Sequence, residues 1–203
     1  MTRELEMTDP QWDKLLKIRT TGRDDSHSDQ YRFPYEPTPY SVLERLADSG
    51  YLSKNNTLLD YGCGKGRVGF YLAYQAGCRC AGIEADDRIY AAGLENMQTA
   101  VSAGKIVLEQ AAAEQYTVPE RVDRCFFFNP FSVEILQKVI ARILGSWYGC
   151  PREMLLFFYY PSDEYISYLM TVPELMFSDE IDCRDLFPKE DERERIMVFE
   201  ITG

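Results

Sequence analysis

Histidine is almost missing from this chain: His27 is the only one among 203 residues, and it falls in a polar stretch. The imidazoles on which many zinc sites depend are therefore lacking, and no metal site is expected. No CxxC pair occurs. Cys78 and Cys80 form CxC in a strand-like setting, and with Cys63, Cys125, Cys150 and Cys183 they read as reduced, structural thiols. No apolar run approaches the roughly 18 residues that a membrane helix needs. The first 20 residues are charged throughout and lack the apolar stretch of a secretory leader. A cytoplasmic location without membrane contact is therefore expected. Positive charge is scarce as well. Lys and Arg number 22 against 33 Asp and Glu, a net charge of −11. That balance makes nucleic acid an unexpected partner, because a general basic face is missing.

What is present is globular: 45% hydrophobic, 27% charged and 13% aromatic residues. The length suits one domain that buries roughly two-thirds of its unfolded surface. Residues 1–40 read as an N-terminal helix and lid segment, and residues 41–203 as the main domain. Asp9-Pro10 starts a short amphipathic helix that carries Trp12, Leu15, Leu16 and Ile18. A polar loop follows, then YRFPYEPTPY at 31–40, whose prolines favour extended chain. Ser41 is placed to cap a helix that Gly50 closes.

From residue 57 the pattern alternates. Strands are predicted at 57–61, 78–84, 105–110, 123–129 and 154–160, with helices at 67–76, 86–103, 132–147 and 161–170. Two last strands, 175–183 and 194–201, have only a charged stretch between them, which reads as a solvated turn. Apolar strands alternating with helices predict an α/β fold with a parallel sheet covered on both faces. The final pair should form an antiparallel hairpin.

The sharpest motif is LLDYGCGKGRVGFYLA at 58–73, where a strand ends, glycines alternate at 62, 64 and 66, and a helix begins. Such glycines permit positive φ and let a ligand approach the backbone. Gly64, Gly66, Gly69 and Ala73 spell the dinucleotide fingerprint GxGxxGxxxA, with Glu84 as the ribose acid. That reading implies a nicotinamide-dependent oxidoreductase. The same stretch also spells DxGxGxG through Asp60, Gly62, Gly64 and Gly66. This second pattern resembles motif I of the class I, Rossmann-like S-adenosylmethionine-dependent methyltransferases. Three features favour it: Asp60 has no role in a hydride-transfer site, little chain is left for a substrate domain, and the terminal hairpin suits the family's seven-stranded sheet. A cofactor-binding protein without catalysis is the third alternative.

The resemblance extends to bacterial members with the order Tyr-x-Pro-Thr-Pro, glycine loop, Asn-Pro-Phe, matched here by Tyr35 to Pro39, the loop and Asn129-Pro130-Phe131. It implies S-adenosyl-L-methionine as cofactor. Asp60, Gly62, Cys63, Gly64 and Gly66 would contact it, and Glu84 would hold its ribose hydroxyls. Ala113 and Glu114 resemble the adenine-binding segment, and Tyr35 and Thr38 would cover the bound donor. The alternative for the segment around Tyr35 and Thr38 is a brace that packs the N-terminal helix on the sheet. FFFNPF at 126–131 resembles the Asn-Pro-Pro-aromatic motif of amino-methylating enzymes. Asn129, Pro130 and Phe131 would then face the acceptor, expected to be an amine nitrogen of a small molecule or protein.

Overall fold

The runs TLLDY, RCFF and LLFFY are rich in apolar residues and buried at every position, as strands covered on both faces must be. The computed structural model describes residues 7–22, 36–189 and 191–203, and in it these runs form the middle of a seven-stranded sheet. The strands are β1 (Thr57–Tyr61), β2 (Arg79–Glu84), β3 (Ile106–Gln110), β4 (Arg124–Phe127), β5 (Leu155–Tyr159), β6 (Leu175–Asp182) and β7 (Arg195–Ile201). Their order across the sheet is β3-β2-β1-β4-β5-β7-β6. The first five are parallel, while β7 runs antiparallel to both β5 and β6. The α/β class, the mostly parallel sheet and the terminal hairpin are as the sequence implied. That β7 slots between β5 and β6 was not legible there.

Six α-helices lie among the described residues, α1 (Asp9–Leu16), α2 (Tyr40–Asp48), α3 (Arg67–Gln75), α4 (Asp87–Thr99), α5 (Val133–Gly149) and α6 (Asp163–Leu169). One core layer joins Trp12 and Leu16 of α1, Tyr40, Leu43 and Leu46 of α2, and Phe70, Tyr71 and Leu72 of α3 to one face of the sheet. The other layer packs Leu136, Val139, Ile140 and Ile143 of α5 and Tyr165 and Leu169 of α6 on the opposite face. Register sets its centre. Tyr61 lies beside Phe127, and Phe127 beside Phe158. Their rings stack at 4.7 and 4.6 Å, nearly parallel, a cross-strand ladder across three buried strands.

Two boundaries differ from expectation. The helix predicted to start behind Ser41 begins at Tyr40, with Pro39 at the cap position, because the fixed φ of proline suits a helix entry. The helix expected to reach 103 stops at Thr99, and a 3₁₀ turn at Ala103–Lys105 leads into β3. The N-terminal helix is built into the core: the Trp12 ring meets Tyr71 edge-on at 5.0 Å. No helix among the described residues is long and apolar enough to cross a membrane.

Candidate functional site

In a parallel sheet of this order the strand sequence reverses between β1 and β4, and the crevice beyond their carboxyl ends is where ligands sit. The glycine loop fills that position. Gly62, Gly64 and Gly66 all have positive φ, at 70°, 58° and 88°. Such angles turn the chain sharply from β1 into α3. At Gly62 a second reason applies, since a β-carbon there would lie 2.6 Å from Cβ of Pro130. The loop after β1 and the turn after β4 therefore touch at the switch point. This brings Gly62 and Pro130, read separately from the sequence, into one site.

Glu84 ends β2 on the other side of the loop. Its Oε2 accepts the Gly64 N–H at 3.0 Å, and its Oε1 accepts the N–H groups of Ala85 and Asp86 at 2.8 and 2.9 Å. A carboxylate has about four acceptor directions, so one remains for a ligand hydroxyl without rearrangement. Burial pushes the Glu84 carboxyl above its usual range, against the three N–H bonds that favour the anion. Cys63 is buried, and its side chain covers the open face of Gly82, where a β-carbon would lie 2.8 Å from it. It contributes backbone, not thiol, to the loop rim: its carbonyl accepts the Gly66 N–H at 2.8 Å.

Asp60 is buried behind the loop, and its Oδ2 has no hydrogen-bond partner. Burial first, and the Glu84 charge second, push its carboxyl up to about 8. The folded state then holds a proton that the unfolded chain, titrating near 3.8, has already released. Stability is therefore lost as pH rises from about 4 towards about 8. Asp60→Asn should remove that loss. The melting-temperature difference between variant and wild type should grow across this interval and flatten above it. Parallel profiles would show that Asp60 does not titrate there.

Thr38 is buried, and its carbonyl accepts from Arg67, the first residue of α3. Arg67 is 2% exposed and gathers the N-terminal region onto the glycine loop. Its guanidinium donates to Thr20 Oγ1 at 2.7 Å and pairs with Asp9. It also lies 4.3 Å over the Tyr40 ring. Asp13 accepts from Tyr40 at 2.6 Å and from both the N–H and the hydroxyl of Thr20 at 2.7 Å. Asn96 of α4 completes the clamp, accepting from the Arg19 N–H at 2.8 Å and donating to the Lys65 carbonyl at 3.0 Å. None of Asp13, Arg67 or Asn96 stood out in the sequence, because nothing in a local pattern marks polar residues whose partners lie up to 77 positions away. Tyr35 and His27 lie outside the described residues.

Ala113 and Glu114 occupy a 3₁₀ turn after β3 and are half-buried. The Ala111 N–H donates to the Glu84 carbonyl at 3.0 Å, tying this connection to the end of β2. Asn129 adopts φ 41°, a left-handed conformation that asparagine tolerates better than most residues. Its Nδ2 donates to the Tyr160 carbonyl at 2.8 Å, and its Oδ1 lies 3.4 Å from the Ser162 N–H. The Asn129 amide thus bridges the turns after β4 and β5. The Phe131 ring is buried against Phe127, and its carbonyl accepts from Tyr165 at 2.5 Å.

The charged stretch after residue 188 is more than a solvated turn. Asp191 accepts from the Tyr160 hydroxyl at 2.6 Å, and Arg193 lies 4.2 Å over the same ring. Glu194 accepts from Tyr159 at 2.5 Å. Only the position of β7 beside β5 brings these charges to the carboxyl ends of the parallel strands. Among the described residues no group of three or more His, Cys, Asp or Glu side chains could hold a metal ion.

Solved structures share this arrangement. An RNA methyltransferase from Salinibacter ruber, in complex with S-adenosyl-L-homocysteine, matches with a TM-score of 0.57 at 17% identity, covering 83% of this chain and 95% of that one. The glycopeptide N-methyltransferase MtfA, complexed with S-adenosyl-L-methionine, matches at 0.62 with 10% identity, over 80% of this chain and 87% of that one. A tRNA (uracil-54, C5)-methyltransferase from Pyrococcus abyssi, also with S-adenosyl-L-homocysteine, matches at 0.60 with 14% identity over 83% of this chain, which spans 40% of that protein. No protein-family model and no curated protein matches the sequence. The structural likeness shows the fold, a Rossmann-like methyltransferase sheet with its reversed last strand.

Proposed function

We propose that the chain is an S-adenosylmethionine-dependent methyltransferase acting on an amine nitrogen of a small molecule or protein. The observation that carries the reading is the glycine loop at the strand-order reversal, with Glu84 on one side and Pro130 packed against Gly62 on the other. The residues fit the donor. Gly62 and Gly64 supply the positive-φ turn of the loop, Glu84 keeps one acceptor direction free, and the Asp60 Oδ2 is left without a partner.

When bound, the donor supplies a methyl group on a sulfonium for in-line displacement by a neutral nucleophile. Such a step neutralises charge, so alignment and exclusion of water matter more than a strong acid or base. The chain's part is to bind and orient. Glu84 would fix the ribose by charge-assisted hydrogen bonds. The Asn129 amide would hold the turns after β4 and β5 in their left-handed conformations beside the donor. Two of the matched structures are RNA methyltransferases, so the net charge of −11 does not set nucleic acid aside as an acceptor.

Calorimetry should detect S-adenosylhomocysteine at micromolar affinity and NAD poorly. Tight NAD binding without any response to S-adenosylhomocysteine would favour the oxidoreductase reading. Glu84→Ala should weaken binding at least tenfold. It should also cost about 1–3 kcal/mol of stability, because three loop N–H groups lose their acceptor. Labelled-methyl transfer into fractionated cell extract would then show whether the acceptor is protein, RNA or a small molecule. Donor binding without any transfer would leave the non-catalytic alternative.

A further inference from the structure

Residues 111–123 join β3 to β4 with one 3₁₀ turn and no α-helix. Tyr116, Val118 and Val122 of this segment pack on β1 and β2, but they leave Val107, near the start of the edge strand β3, 48% exposed. At the amino ends of β1, β2 and β3 lies a cleft of about 140 Å³, lined by Thr57, Arg79, Ala81, Lys105, Val107 and Arg121 among others. Three cations line it, and no carboxylate does.

Six other arginines, Arg45, Arg67, Arg124, Arg184, Arg193 and Arg195, each hold an acid within 4.0 Å, and Arg152 is spent on carbonyls of its own neighbourhood. Among the described residues, Arg79, Lys105 and Arg121 have no such partner and no side-chain hydrogen bond. In a chain of net charge −11, one cleft is thus lined by three cations without an acid partner and by no carboxylate. Their mutual repulsion is relieved by an anion.

We propose that this cleft binds a phosphate-bearing ligand. Its volume equals that of roughly four to five waters, room for a phosphoryl or diphosphoryl group. Guanidinium groups match phosphate oxygens in paired hydrogen bonds, and the lysine adds a point charge. The cleft lies at the opposite ends of the strands from the glycine loop, about 13 Å along β1 from Thr57 to Tyr61. It is therefore a second site, independent of the methyl-transfer reading. The phosphate could belong to a small metabolite or to a nucleic-acid backbone.

Titration of the full chain with inorganic pyrophosphate at low salt should give saturable binding that weakens as salt rises. Arg79→Gln and Arg121→Gln should each weaken it at least fivefold, and the double variant more than twentyfold. All three side chains are exposed, so melting temperature and S-adenosylhomocysteine affinity should not change. Lys14→Gln on the opposite face of the molecule should have no effect. Single-stranded RNA that pyrophosphate displaces, and that the same variants fail to bind, would assign a backbone phosphate. Pyrophosphate binding without RNA binding would assign a small molecule. Absence of saturable binding, or variants that bind like wild type, would overturn the proposal.

Discussion

Asp13→Ala should destabilise the protein by about 3–5 kcal/mol, the cost of breaking a buried ion pair by removing one partner. The carboxylate accepts hydrogen bonds from Tyr40, Thr20 and Thr21, and Arg67 lies 3.9 Å away. Without it the guanidinium, 2% exposed, keeps Asp9 as its only acid among the described residues. For a chain of this size the loss corresponds to a melting temperature lower by roughly 6–20 °C. Arg67→Met in the same background should restore part of the loss, because it removes a buried guanidinium left with one acid in place of two. If the double variant is less stable than Asp13→Ala alone, Arg67 contributes through packing or through its other partners. A pH signature accompanies the network. Burial alone would raise the Asp13 carboxyl, but the bonds from Tyr40, Thr20 and Thr21 outweigh it and hold the group below its usual value of 3.8. Its stabilisation is complete above that value and is lost as pH falls through the lower folded one. Asp13→Asn should therefore show a shallower acid limb than wild type in thermal melts.

Gly62→Ala should cost about 2–5 kcal/mol and abolish donor binding. The left-handed backbone at φ 70° penalises any β-carbon by about 1–2 kcal/mol. The contact at 2.6 Å with Pro130 adds an overpacking term of about 1–3 kcal/mol. The proline ring cannot swing aside as a flexible side chain would, so the loop or the turn after β4 must move. Gly104→Ala is the control, since a β-carbon there meets nothing within 4 Å. Thermal melts and S-adenosylhomocysteine calorimetry on both variants check this. A Gly62→Ala protein that binds normally would mean that the loop and the Pro130 turn are not locked together as the donor site requires.

The sequence by itself determined the element order, the buried strands and the glycine loop. Each is written locally: apolar runs such as LLFFY demand burial on both faces, and alternate glycines permit a turn that other residues resist. It also singled out Glu84, because strand length and spacing from the loop are local quantities. The tertiary structure decided the rest. Insertion of β7 beside β5 carries Asp191, Arg193 and Glu194 onto Tyr159 and Tyr160, whereas the same residues read in isolation are a solvated turn. Contact between Gly62 and Pro130 joins two motifs 68 positions apart. The Asp13–Arg67 cluster and the Arg79–Lys105–Arg121 cleft likewise assemble polar residues from distant segments. Hydrophobic periodicity reports which face of an element is buried. Charge pairing depends on which elements become neighbours, and only packing of the whole chain settles that.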